Sequence, residues 1–164
     1  MDFVKMQGLG NDFVVVAGPV DLSPETIVAW CDRRFGVGAD GVLEATPLTD
    51  SRVRMRYWNA DGGEAEMCGN GLRCVARHAH DRGWVDTGDV IVETAAGHMP
   101  AQVLAGGVVR ALVGEPELMG APIEFGDVLL HPVSVGNPHA VIFVDDPAVA
   151  AVGVLGPQVE TDPR

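Results

Sequence analysis

Leu72, Val75, Ala76 and Ala79 recur at i, i+3, i+4 and i+7, with Arg73, Arg77, His80 and Asp81 as polar neighbours. This is the period of an amphipathic helix, and it predicts one from Gly69 or Asn70 to Arg82. A helix with one apolar face has to be covered by something else in the chain. Nearly everything around it reads as strand: Phe3 to Met6, Phe13 to Ala17, the alternating RVRMRYW of Arg52 to Trp58, Val90 to Thr94, His98 to Leu104, Val108 to Val113, Val128 to Val135 and Ala140 to Val144. Glycine-rich turns separate these runs. The only other helical pattern runs from about Pro24 to Arg34, with Ser23 as N-cap, Pro24 at the first helical position and Gly36 as the stop. In it Ile27, Trp30, Cys31 and Arg34 share a face. The class is α+β, with no internal repeat, and GEPELMGAP marks a boundary that divides residues 1–114 from 115–164.

Composition narrows the function. An apolar share of 47% over 164 residues can build a real core. No run of about 18 apolar residues occurs, and MDFVKMQGLGNDF lacks the basic-then-apolar order of a signal peptide, so the expected compartment is the cytoplasm, with no membrane partner. The formal charge of −12 repels a polyanion, so no nucleic-acid partner is expected, although a local pocket can still hold a small anion. The three cysteines, Cys31, Cys68 and Cys74, form neither a zinc pattern nor a disulfide framework, and no metal is expected.

Cys68 stands apart from the other two. In NADGGEAEMCGNGLR it precedes the predicted helix, where unpaired N–H groups and the helix dipole stabilise a thiolate. The glycines around Asn70 leave backbone donors open to a carboxylate or a developing oxyanion. Local physics leaves a buried structural cysteine equally open. Cys31 and Cys74 fall inside helical patterns, where a packing role is the expectation.

KMQGLGNDF, RRFGVGADG, NADGGEAEMCGNGLRC and GNPHAVIFVDD, in this order, resemble the pyridoxal-independent diaminopimelate epimerases. The resemblance runs from Met1 to about Pro163. It implies a mixed or antiparallel sheet around a central helix, followed by the beginning of a second, pseudo-symmetric domain. The activity it implies is the interconversion of LL- and meso-diaminopimelate in lysine and cell-wall synthesis. The α-hydrogen of an amino acid is very weakly acidic, so without a cofactor the site must supply a base and an acid on opposite faces, and the resemblance implies that both are thiols. By this resemblance Cys68 is one of them, and His139 in GNPH tunes it. Gly69 and Asn70 hold the substrate carboxylate, and Asn11, Asn59 and Asn137 hold its polar ends. A homodimer is implied for the complete enzyme, with a small-molecule amino-acid substrate, LL- or meso-diaminopimelate.

Two departures accompany the resemblance. Gly41 stands where many family members have glutamine, so no substrate contact is carried onto it. The family's second catalytic cysteine also has no counterpart. Cys74 is six residues along the same helix from Cys68, about 9 Å at the usual rise per residue, and cannot face it across one carbon. The expectation is therefore a first domain plus the opening of a second, carrying one catalytic cysteine and inactive alone. The competing reading is a catalytically silent binding or assembly module. A thiol-redox role is weaker, because no resolving cysteine lies near Cys68 in the sequence.

Overall fold

The computed structural model describes residues 1–135 and 138–163. The chain forms two compact units, Met1–Val113 and Gly114–Arg164. In the first, β1 (Phe3–Gly8), β2 (Asn11–Ala17), β3 (Gly41–Thr49), β4 (Arg52–Asn59), β5 (Glu64–Ala65), β6 (Asp89–Thr94), β7 (Gly97–Val103) and β8 (Val109–Ala111) make one mixed sheet. Its order is β1-β2-β3-β4-β6-β7-β8, with β5 on β4. The β2/β3 and β4/β6 pairs are parallel and the other pairs antiparallel.

Two helices cover the two faces. α2 (Gly69–Asp81) buries Leu72, Val75, Ala76 and Ala79 against Phe13, Val15, Leu43, Ala45, Val53, Met55 and Tyr57. These are alternate residues of β2, β3 and β4, as a pleated sheet requires. Each buried Leu or Val side chain contributes about 1.5–3 kcal/mol. α1 (Pro24–Cys31) places Ile27 and Cys31 on the opposite face, against Val14, Val16, Val42 and Trp58.

α1 is shorter than its sequence pattern. Asp32 turns its carboxylate back onto the N–H groups of Arg34 and Phe35, each at 2.7 Å, and this local bonding competes with another helical turn. Arg34 therefore lies beyond the helix. The β1–β2 turn is a tight one. Leu9 and Gly10 both have positive φ, 56° and 88°, so the hairpin closes through two residues and Asn11 pairs with Gly8.

β3 has no counterpart in the sequence pattern. Gly41 to Thr46 are all buried, so the strand lacks alternation, and Pro47 interrupts it near a register shift. It also carries a buried carboxylate. Glu44 accepts from the Thr46 hydroxyl at 2.8 Å and the Val20 N–H at 3.3 Å, with Arg56 3.6 Å away.

In the second unit β9 (Glu117–Leu118), β10 (Ile123–Phe125), β11 (Val128–Ser134) and β12 (Pro138–Val141) form an antiparallel sheet, followed by α3 (Val152–Glu160). α3 was not legible, since Gly153, Gly156 and Pro157 argue against a helix. Among the described residues of this unit, Leu130 is the one buried hydrophobic. No helix of the described chain is long and apolar enough to cross a membrane.

Gly41 has no room for a side chain. A Cβ there would lie 2.4 Å from the Trp58 carbonyl oxygen and 2.6 Å from the Tyr57 ring. Gly41→Ala should cost about 1–3 kcal/mol, read as a lower urea midpoint. Burial also pushes the Cys74 thiol up to about 11 and the Tyr57 phenol up to about 12. Their unfolded values are about 8.5 and about 10, so the fold favours both neutral forms. That stabilisation is whole below about pH 8.5 and is lost as pH rises through the folded values. Thermal melts should show Tm falling between pH 8 and pH 11, and falling less steeply in Cys74→Ala; equal slopes would count against the burial of that thiol.

Candidate active site at the start of the central helix

Cys68 is the N-cap of α2, with extended backbone at φ −142° and ψ 112°. Its sulfur accepts from the Gly71 N–H at 3.4 Å, and its carbonyl takes the Leu72 N–H at 2.7 Å. A thiol thus occupies the place that a serine or aspartate side chain commonly fills. Helix geometry leaves the N–H groups of Gly69 and Asn70 without an intrahelical acceptor, at the positive end of the dipole. No acidic residue stands in this first turn to compete with an anion for these N–H groups.

The hairpin brings Asn11 to this point. Gly8 lies so close to α2 that a Cβ on it would be 3.3 Å from the Asn70 carbonyl oxygen. Its partner across the turn, Asn11, sets its Oδ1 3.8 Å from the Cys68 sulfur and 3.4 Å from the Asn70 Nδ2. Asn70 in turn accepts from Arg73, one turn along α2.

Behind Asn11 lies a group of charges that the sequence did not single out. Asn11 Nδ2 donates to Asp40 at 2.8 Å, and the same carboxylate oxygen accepts the Asp12 N–H at 3.1 Å. Arg33 bridges Asp12 at 2.8 Å and Asp40 at 2.6 Å, and Lys5 reaches Asp12 at 2.8 Å and also bonds the Gly38 carbonyl. The Asn11 and Asp12 bonds, with Arg33, hold the Asp40 carboxyl below its ordinary range. The Arg33 guanidinium does the same, more strongly, for Asp12. Both carboxylates are charged at neutral pH.

Tyr57 closes the site from the sheet. Its hydroxyl donates to Asn59 Oδ1 at 2.6 Å, and a charge on Cys68 adds to the burial that raises its phenol. The other two thiols stand elsewhere: Cys74 in the core beneath α2, Cys31 on the opposite face of the sheet. Burial raises both.

The first unit therefore gathers Asn11, Cys68, Gly69 and Asn70 directly, with Asn59 joined through Tyr57. His139 belongs to the second unit, exposed on β12 opposite Val133. Asn137 lies outside the described residues. His139 also lines an apolar cavity of about 1180 Å³ within that unit, together with Phe125, Leu130, Val152 and Leu155. Among the described residues, no cluster of three or more His, Cys, Asp or Glu is placed to hold a metal.

The architecture and sequence both have known counterparts. A hydroxyproline epimerase from Agrobacterium vitis, solved with bound trans-4-hydroxy-L-proline, superposes with a TM-score of 0.65 over 94% of this chain and 56% of its own, at 15% identity, a likeness of fold alone. Two curated diaminopimelate epimerases are much nearer in sequence. The protein from an Azoarcus species is 43% identical over 99% of this chain and 66% of its own length, and that of Pelotomaculum thermopropionicum 42% over 99% and 67%. The chain spans about two thirds of the length of these relatives. The family model described as diaminopimelate epimerase matches residues 3–119, which include the Asn11, Asn59 and Cys68–Asn70 positions. The chain belongs to the diaminopimelate epimerase family.

Proposed function

We propose that this chain carries one half of a cofactor-independent, two-base epimerase site acting on LL- and meso-diaminopimelate, with Cys68 as one of the two proton-transfer groups. The observation that supports it most is the half-buried Cys68 sulfur at the start of α2, beside the Gly71 N–H and the Asn11 and Asn70 amides. A substrate carboxylate bound to the N–H groups of Gly69 and Asn70 sets its α-carbon next to the sulfur. As the C–H bond breaks, the thiolate takes the proton and the carbanion's charge spreads onto the carboxylate, where helix-end donors stabilise it. A second acid then delivers a proton to the opposite face, which inverts the centre. In the reverse direction the roles exchange.

Asn11, Asn59 and Asn137 are proposed to hold the substrate's polar ends, and His139 to accept the Cys68 proton. Residues 1–164 supply one of the two thiols in this scheme, since Cys31 and Cys74 are buried in the cores. In this reading residues 1–114 correspond to the family's first domain and 115–164 to the start of its second. The family reading extends to lysine and peptidoglycan precursor synthesis in the cytoplasm, and to a homodimer that sedimentation can test.

The thiols should differ in reactivity. Iodoacetamide should alkylate Cys68 at least about tenfold faster than Cys31 or Cys74 in the native chain, because only Cys68 is both accessible and at a helix start. Equal rates, resolved by peptide mapping, would remove Cys68 from the site. His139→Ala should slow the Cys68 reaction at neutral pH and leave the fold intact, and an unchanged rate would exclude His139.

Activity needs the second acid. The 164-residue chain should convert LL- to meso-diaminopimelate about 10²- to 10⁴-fold more slowly than a chimera extended by the remaining third of a curated relative. Cys68→Ala in the chimera should abolish conversion. A short chain within about tenfold of the chimera would overturn the one-thiol reading.

A further inference from the structure

An asparagine amide has two ends of opposite character, and which end meets Cys68 decides what that sulfur experiences. The two neighbours of the Asn11 and Asn70 amides leave one choice for each. Asp40 is ionised and can only accept, so the Asn11 nitrogen must face it, at 2.8 Å. That turns the Asn11 oxygen toward the Cys68 sulfur and the Asn70 amide. Arg73 can only donate, so the Asn70 oxygen must face it and the Asn70 nitrogen must face Asn11. The order Asp40, Asn11, Asn70, Arg73 is a chain of hydrogen bonds with one consistent direction, fixed by a charge at each end.

We propose that Asp40 is a positioning residue that locks the Asn11 amide with its oxygen toward Cys68, and that Arg73 locks the Asn70 amide in the matching sense. The proposal rests on Cys68 being the proton-transfer group. The Asn11 oxygen accepts from the S–H and favours the thiol, whereas the Gly71 N–H donates to the sulfur and favours the thiolate. The sulfur thus meets an acceptor on one side and a donor on the other. Asp40 touches neither substrate nor sulfur in this arrangement. It acts through Asn11, and Arg33 and the Asp12 N–H hold it in place.

The test compares Asp40→Ala with Asp40→Asn in the 164-residue chain. Both remove the negative charge, so any difference between them is not a charge effect. Asp40→Asn keeps an oxygen that can accept from Asn11 and from the Asp12 N–H, while its new donor turns toward exposed Arg33, which can move away. Asp40→Ala removes the 2.8 Å bond, and the remaining contact from Asn70, at 3.4 Å, is too long to keep the Asn11 amide from turning its nitrogen toward the sulfur. The pH–rate profile of Cys68 alkylation should therefore lie at lower pH in Asp40→Ala than in Asp40→Asn, with a rate at pH 7 about three- to tenfold higher. In an Asn11→Ala background the two should coincide. Equal profiles for the two variants, or a difference that persists without Asn11, would overturn the proposal. This comparison stays informative even if the chimera shows no epimerase activity, because it scores a ratio at one thiol. Should Asp40→Ala expose Cys31 and Cys74 to the reagent, the unaltered chain decides: hydrogen exchange of the Asn11 side-chain NH₂ should be slower than that of exposed Asn59, and equal exchange would exclude the lock.

Discussion

The contact of the β1–β2 hairpin with the first turn of α2 is the constraint on which the site depends. It exists because α2 is held inside the sheet by Leu72, Val75, Ala76 and Ala79, which leaves its N-terminus at the sheet's β1 side. Gly8 permits the approach, and the two-residue turn then sets Asn11 beside Cys68. A longer turn would move Asn11 along β2 and shift its side chain to the other face. The sulfur's surroundings are thus built by packing at some distance from it.

The sheet supplies the second requirement. The parallel register of β2 and β3 sets Phe13 opposite Gly41, so the preceding residues Asp12 and Asp40 also lie side by side. Two carboxylates this close would repel each other, and Arg33, from the turn after α1, reconciles them. The early end of α1 matters here, because it frees Arg33 from the helix. Asp32 therefore acts on the site indirectly, by ending α1 where it does.

What could be read in the sequence follows from how local each signal is. α2 was legible because its apolar period is complete within one segment, and Cys68 because it precedes that segment. β3 was hidden because a strand buried on both faces has no alternation and this one contains Glu44 and Pro47. The Asp12, Asp40 and Arg33 group was hidden because it joins residues as many as 28 positions apart through a register that only the folded sheet defines. Asn11, Asn59 and Asn70 look like turn residues locally, and the family resemblance singled them out. The space beside Gly41 is taken by Tyr57, whose ring would meet a side chain there and whose hydroxyl reaches Asn59.

The uneven distribution of buried apolar side chains has a dynamic consequence. The first unit holds two packed clusters, whereas Leu130 is the one buried hydrophobic among the described residues of the second. Local opening is governed by how much packing must be broken, so β9 to β12 and α3 belong to the low-stability end of the molecule's spectrum of fluctuations. Cys68 and Asn70 therefore stand in the tightly packed unit, whereas His139 stands in the unit with the smaller interior.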